Sequence, residues 1–369
     1  MQNKRPYIVI FLLVATELIG FGLIIPILPQ IANKFTSSGF LLGFLLSSYS
    51  LAQFVAAPYL GHLSDRVGRK PVLIASKIGT ILSYVLLANS ATFSLILLSR
   101  LLDGFTGGNI AVARAYLADI TSKDHRSKAM AVIGVAFGTG FIFGPAIGGF
   151  CYSVSQNFAL AGYIGAFLSL ISLCITWIYL KEPENKNSFQ STPILKNIHL
   201  ISPFCWVLLL ISAMSMIVFS GFETSFSLYT FYKFGFLEEQ NSYLFLVIGV
   251  LAFFIQGSFT RFSIQPIQRA VSVALISLGL GLCLSNYFNA PYLSLGILGL
   301  LLFGIAILNT HLPAEISTQN DQRGFIMGVY ESINSVARII GPLIIYSALY
   351  NHFNIIYFTL GGACFFLLL

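Results

Sequence analysis

Charged residues make up only 9% of this 369-residue sequence, against roughly a quarter in soluble domains. So little charge cannot cover the surface of a water-soluble fold of this size, which excludes a soluble enzyme or binding domain. Cysteine is sparse as well. Cys151, Cys174, Cys205, Cys283 and Cys364 each stand alone in apolar sequence, which argues against paired-thiolate metal sites and disulfide frameworks. The net charge is +7, but no basic face or tail gathers it, so a nucleic-acid partner is not expected. An apolar run follows Lys4 and Arg5 without a small-residue cleavage site. It reads as a retained first membrane helix rather than a signal peptide.

Hydrophobic sequence is what the chain has in quantity: 56% of residues are hydrophobic and the mean hydropathy is +0.84. Runs of about 18 or more apolar residues recur, each long enough to cross a hydrocarbon core about 30 Å thick. The pattern predicts an all-α integral membrane protein with membrane helices near 7–31, 40–60, 72–90, 92–118, 129–150 and 158–180, then 203–226, 241–260, 270–288, 292–313, 325–349 and 354–369. These fall into two six-helix bundles, 1–180 and 203–369, joined by a polar linker over 181–202 that contains "KEPENKNSFQSTPILKNIHL". The last run reaches Leu369 without a polar tail, which reads as a truncation.

Lysine and arginine crowd the loops on the N-terminal side, from Lys4, Arg5, Arg66, Arg69 and Lys70 through Lys123, Arg126, Lys128, Lys181, Lys186 and Lys196 to Arg261, Arg269 and Arg323, whereas the opposite loops hold only Lys34 and Lys233. By the positive-inside rule both termini face the cytoplasm. The halves echo each other: Arg126, Gly144 and Pro145 recur 197 residues later as Arg323, Gly341 and Pro342. Parallel repeats of this kind are found in secondary transporters.

An ionisable side chain inside a bilayer costs about 3 kcal/mol and is a functional candidate by default. Five stand out. Glu17 lies about 15 Å into the first helix at 1.5 Å per residue and has no opposite charge in its own helix. It is the first candidate for proton coupling, because desolvation favours the protonated carboxyl. Arg100 and Asp103, three residues apart in the fourth helix, share one face. Glu331 and Arg338 lie two turns apart in the eleventh. Either pair could serve only to fix helix packing. Glu223, about twenty residues into the seventh helix, is expected near the outer surface.

The fifth helix contains "GVAFGTGFIFGPAIGGF". Gly134 and Gly138 are four apart, as are Gly140, Gly144 and Gly148, with Gly149 beside them. Small residues at that spacing let another helix approach closely, and Pro145 adds a kink. On this reading Gly144→Ala should be mild. No strand precedes the run, so it is not a dinucleotide loop.

Several segments together resemble one family. "GHLSDRVGRKPVL", Gly61 to Leu73, is similar to the loop signature of the major facilitator superfamily. "RLLDGFTGGNIAVARAYLADIT" resembles its fourth-helix motif, and "GTGFIFGPAIGG" the fifth-helix motif of its drug:proton antiporters. "ATELIGFGLIIPILP" and "GFIMGVYESINSVARIIGP" resemble the first and eleventh helices of tetracycline-efflux-like members, with Glu17 where those usually carry Asp. The resemblance implies a proton-driven exporter of a small organic molecule: a drug, a tetracycline-like compound or a siderophore-like metabolite.

It also implies roles. Gly61, Asp65, Arg66, Gly68, Arg69 and Lys70 would form a cytoplasmic latch, with Asp65 facing the start of the eleventh helix and Arg69 paired to Asp119. Glu17, Arg100 and Asp103 would carry the proton. Tyr49, Gln53, Asn109, Glu331, Asn334 and Arg338 would line a pocket between the halves. The second-half copy of the latch, "QGSFTRFSIQPIQR", lacks an acidic residue. A proton symporter or facilitator importing a nutrient, and a non-transporting receptor or scaffold, are the alternatives. No enzymatic activity, cofactor or metal is expected. The expected partners are a small-molecule substrate, protons and the lipid bilayer of a cytoplasmic (inner) membrane, for a monomer with both termini cytoplasmic.

Overall fold

The computed structural model describes residues 5–24, 27–28, 39–155, 157–183, 201–235, 238–259, 261–287, 291–319 and 323–349. They are helical throughout, with no strand among the described residues. In the first half α1 spans Arg5–Ile24, α2 Gly39–Val67, α3 Arg69–Ala88, α4 Phe93–Gly107, α5 Asn109–Ile120, α6 Arg126–Ser155 and α7 Ala159–Tyr179. In the second, α8 spans Pro203–Phe234, α9 Glu238–Ser258, α10 Ile267–Tyr287, α11 Pro291–Ile316 and α12 Arg323–Leu349. The fourth predicted span is therefore two helices broken at Gly108, and the eleventh is α12. The predicted span at 354–369 lies outside the described residues, as does most of the linker.

Eight segments among the described residues are long and apolar enough to cross a membrane. With no water in a bilayer core to satisfy the backbone, helices that close their own hydrogen bonds are the form such sequence must take. Large apolar side chains such as Val55, Phe167, Ile178 and Phe254 are exposed on the outside, where lipid would cover them.

The sequence echo is also a packing echo. α1 packs on α6 as α8 packs on α12, and α3 packs on α4 as α10 packs on α11. Between the halves, α2 packs on α12 as α9 packs on α6, and α5 packs on α12 as α11 packs on α6. The repeated glycines sit at equivalent crossings. A Cβ on Gly144 would come within 2.8 Å of Gly22 Cα in α1, and one on Gly341 would meet Ser220 and the backbone of Gly221 in α8. Where the halves meet, Ala57, Ala111, Ala115 and Ala131 join the apolar core of the second half. Side chains this small let backbones approach where no hydrophobic driving force separates helix from lipid.

Candidate transport site

The charged stretch at Gly61–Leu73 is not a loop. α2 runs on to Val67, Gly68 makes a single-residue break, and α3 begins at Arg69. Gly68 has φ +109°, a conformation that costs an L side chain strain and glycine none. The corner is closed by Glu182, at the start of the linker. Its carboxylate accepts from the Arg69 amide at 2.6 Å and the Lys70 amide at 2.9 Å. An anion there is favoured by the helix dipole and caps amides that have no helical partner.

From this corner a chain of charges crosses the molecule. Arg69 pairs with Asp65 at 2.7 Å and with Asp119 at 2.8 Å. The other Asp119 oxygen is 2.9 Å from Arg323, at the start of α12 in the second half. Asp65 itself accepts from the Phe325 amide at 2.9 Å, in the first turn of the same helix. Asp119 and Asp65 thus each join the halves.

Two expected members stand apart. Arg66 is exposed and forms no ion pair among the described residues, and the Lys70 ammonium donates to the Trp177 carbonyl within the first half. Gly61 is buried in α2, where its carbonyl accepts from Ser64. Arg126, at the start of α6, reaches across to the Ser317 carbonyl of the second half at 3.0 Å, as Arg323 reaches that of Ala118 in the first at 3.2 Å. Ser317 has no carboxylate to offer, and the turn after α9 is held by His311 Nε2, which accepts from the Ile264 amide at 2.9 Å.

Deeper in the first half lies a second cluster. Glu17 is not a lone carboxylate: Lys77 Nζ, from α3, lies 2.5 Å away, with side-chain exposures of 2% and 0%. Thr80 and Asn109 also donate to Glu17, at 3.5 and 3.3 Å. Arg100 and Asp103 form their expected pair at 3.1 Å, again almost fully buried. α3 touches both pairs: Thr80 reaches Glu17, and Ser83, three residues on, donates to Asp103 at 3.2 Å. Arg100 also lies over the Tyr84 ring, 5.7 Å from its centroid, a favourable cation–π position. Asn109, expected in the substrate pocket, belongs to this cluster. Tyr49, also expected in the pocket, packs within the first half: its ring lies tilted at 41° to that of Phe21, centroids 4.7 Å apart, and its backbone is where a Cβ on Gly104 would land.

A third cluster lies between the halves. The principal partner of Glu331 is Arg114 of α5, at 2.6 Å, not Arg338, which is 3.9 Å away. Arg114 also lies 5.2 Å from the Tyr330 ring centroid. Arg338 donates to Gln53 Oε1 at 2.6 Å, and Gln53 in turn donates to the Gly107 carbonyl at 3.1 Å. Of the six expected pocket residues, Gln53, Glu331 and Arg338 meet here. Asn334 instead accepts from Ser212 at 2.9 Å, tying α12 to α8. Glu223 is half-buried two-thirds of the way along α8 and feels the charge of Arg338. It is not at a helix end, because α8 runs eleven residues further.

The glycines of α6 serve two neighbours. Gly140, Gly144 and Gly148 abut Leu18, Gly22 and Leu23 of α1, while Gly134 and Gly138 abut Gln256 and Phe253 of α9. Gly149 meets nothing within 4 Å, so it is not part of either contact. At Gly144 the facing atoms are backbone, which cannot step aside. The expectation of a mild Gly144→Ala therefore does not survive. The helix continues through Pro145.

Sequence reading missed Lys77, Arg114 and Glu182. Lys77 and Arg114 lie within five residues of the ends of their predicted spans, where a long side chain is assumed to reach water. Inside the predicted spans Lys77, Arg100, Arg114 and Arg338 stand against Glu17, Asp103, Glu223 and Glu331; that parity was the available signal, since a buried cation needs a counter-charge.

Residues 10–342 match the Major Facilitator Superfamily. The chain belongs to that superfamily. Over 91% of its length it is 30% identical to the class B tetracycline resistance protein of Escherichia coli, covering 86% of that protein. It is 27% identical to multidrug resistance protein 2 of Bacillus subtilis (strain 168), over 92% of this chain and 88% of the other. The crystal structure of the human organic anion transporter MFSD10 (TETRAN) superposes with a TM-score of 0.85 at 27% identity, covering 99% of both chains. The major facilitator fold makes this chain a multi-pass membrane transporter, with the polar clusters above inside its helical bundles.

Proposed function

We propose that the chain exports a small organic molecule in exchange for protons, by alternating access between its halves. The observation that carries this reading is two ion pairs, Glu17–Lys77 and Arg100–Asp103, both buried in one bundle, both contacted by α3 and separate from the inter-half cluster. A carboxylate held by a cation inside the bilayer can take up a proton only by giving up that cation. Protonation of Glu17 would free the Lys77 ammonium, and the two states differ in whether this ion pair ties α1 to α3. The names of the tetracycline and multidrug resistance relatives support export, and the linker-end cluster supports a state closed on the cytoplasmic side. Opening inward would then require Asp119 to leave Arg323 and Asp65 to leave Phe325.

The test is substrate-induced proton release from energised everted vesicles carrying the full chain, across a panel of drugs and metabolites. Release with at least one compound supports antiport. Accumulation without release favours a facilitator, and neither favours a scaffold. A second reading concerns substrate charge. Arg338 is 20% exposed between the halves and its carboxylate contact is long, at 3.9 Å. Together with the name of the human neighbour, this favours an organic anion, which competing anions in the same assay would reveal.

A further inference from the structure

Three hydroxyls on α7 have no hydrogen-bond partner among the described residues, although they are buried: Ser169, Ser172 and Thr176, with exposures of 0%, 1% and 0%. Ser76 of α3, 4% exposed, is also without one, but other hydroxyls in the chain are satisfied by their own helix. Thr139, Ser155 and Thr310 each donate to the carbonyl four residues back, at 2.9, 2.8 and 2.7 Å. A buried hydroxyl without a partner costs about 1–3 kcal/mol, and three in a row would be a heavy burden unless something polar sits against them.

Their positions say where that would be. Spacings of four, three and four from Gly165 put all three on one stripe of α7. That stripe faces α3: a Cβ on Gly165 would meet the Tyr84 ring, and one on Gly162 the Tyr84 carbonyl and Ala88. The helices run antiparallel, because Lys70 at the other end of α3 reaches the Trp177 carbonyl. Seven residues along each helix from Gly165 and Tyr84, about 10 Å at 1.5 Å per residue, come Ser172 and Lys77. Lys77 lies on the same stripe of α3 as Tyr84, is itself 0% exposed, and ends on Glu17. Thr176 is one turn nearer the linker, four residues before Leu180.

We propose that Ser169, Ser172 and Thr176 hold a line of ordered water between α3 and α7, and that this line carries protons between the linker end and the Lys77–Glu17 pair. A buried water typically makes about three hydrogen bonds to groups left over by the protein, and each hydroxyl here can both donate and accept. The route runs inside the first bundle, away from Gln53, Glu331 and Arg338, so a proton could reach Glu17 while the inter-half cluster is occupied. The conduction role rests on the antiport reading above; the presence of water does not.

Two measurements on the purified full chain test it. The first is the unfolding midpoint of Thr176→Val, which keeps the side-chain shape, and of Ser172→Ala. If water bridges these hydroxyls, removing one strands it and the midpoint falls. A raised midpoint means the hydroxyls were dry and unsatisfied, and overturns the proposal. The second is substrate-driven proton release in proteoliposomes. The same variants should slow it several-fold with substrate affinity kept, and an unchanged rate overturns conduction along this route. Absence of proton release in the unsubstituted chain would instead overturn the antiport reading, and the midpoints would still decide whether the interface is wet.

Discussion

Glu17 and Lys77 lie 2.5 Å apart on different helices, and neither reaches solvent. Removing one partner of such a pair leaves a buried charge uncompensated, at a cost of about 3–5 kcal/mol, whereas removing both can be close to neutral. We therefore expect Lys77→Met alone to lower the unfolding midpoint sharply, and Lys77→Met combined with Glu17→Gln to recover most of it. Glu17→Gln alone should abolish substrate-driven proton release while substrate binding persists. Glu17→Asp, one methylene shorter, should keep partial activity. If Lys77→Met and the double variant are equally stable, the two groups are not held as a pair. Undiminished proton release in Glu17→Gln would move the coupling role to Asp103.

Asp65 and Asp119 cross the halves by different bonds, and the difference is testable. Asp65→Asn keeps an oxygen for the Phe325 amide but loses the attraction to Arg69. Asp119→Asn weakens two ion pairs at once, to Arg69 and Arg323. A hydrogen bond to a charged group contributes about 1.5–3 kcal/mol, so losing one that crosses the halves shifts the closed–open balance about 10- to 150-fold. Transport by both variants should slow, Asp119→Asn more, with surface expression unchanged. Equal, normal rates would mean that the cluster does not control opening.

Two glycines of α6, five residues apart, should respond differently to the same substitution. A methyl on Gly144 would press on Gly22 Cα at 2.8 Å, whereas one on Gly149 meets nothing within 4 Å. Overpacking of this kind costs about 1–3 kcal/mol. Gly144→Ala should lower both the unfolding midpoint and the transport rate, and Gly149→Ala should change neither. Thermal unfolding of the two variants side by side decides the matter.

Hydropathy reveals span boundaries because the bilayer imposes a length and a composition on each helix independently of the others. α7, α8 and α12 begin within two residues of where the sequence places them. Partnership is different, because it depends on which faces the fold brings together. Glu17 looks alone in its own helix, and only the packing of α1 beside α3 supplies Lys77. Glu331 and Arg338 look like partners two turns apart, yet Arg114 arrives from the other half and lies closer. The break at Gly68 was hidden for another reason: a polar, charged stretch reads as a loop, while its charges actually cap and pair helix ends. Asn109 and Asn334 show why a list of polar residues at pocket depth is weak. Each satisfies a neighbour within its own half, and nothing local distinguishes that from a side chain facing a substrate.

Arg114 and Arg338 both approach Glu331, and their burial assigns them different work. The Arg114 side chain is 4% exposed and bonded at 2.6 Å, while that of Arg338 is 20% exposed at 3.9 Å. Arg114→Gln would leave Glu331 buried without its main cation, so its cost should approach the 3–5 kcal/mol of a broken buried pair. The long Arg338 contact contributes far less, about 1 kcal/mol or below. Its remaining bonds, to Gln53 and to Ser335 of its own helix, are neutral-acceptor bonds that the amide of Gln can take over in part. Arg338→Gln should therefore barely move the unfolding midpoint. If Arg338 faces the substrate, the same variant should weaken binding of anionic compounds well beyond that of neutral ones. Arg114→Gln should lower stability with ligand charge making no difference. Equilibrium binding of matched anionic and neutral compounds, alongside thermal unfolding, separates the two. Full anion affinity in Arg338→Gln would remove Arg338 from the pocket and leave the inter-half cluster a packing device centred on Arg114 and Glu331.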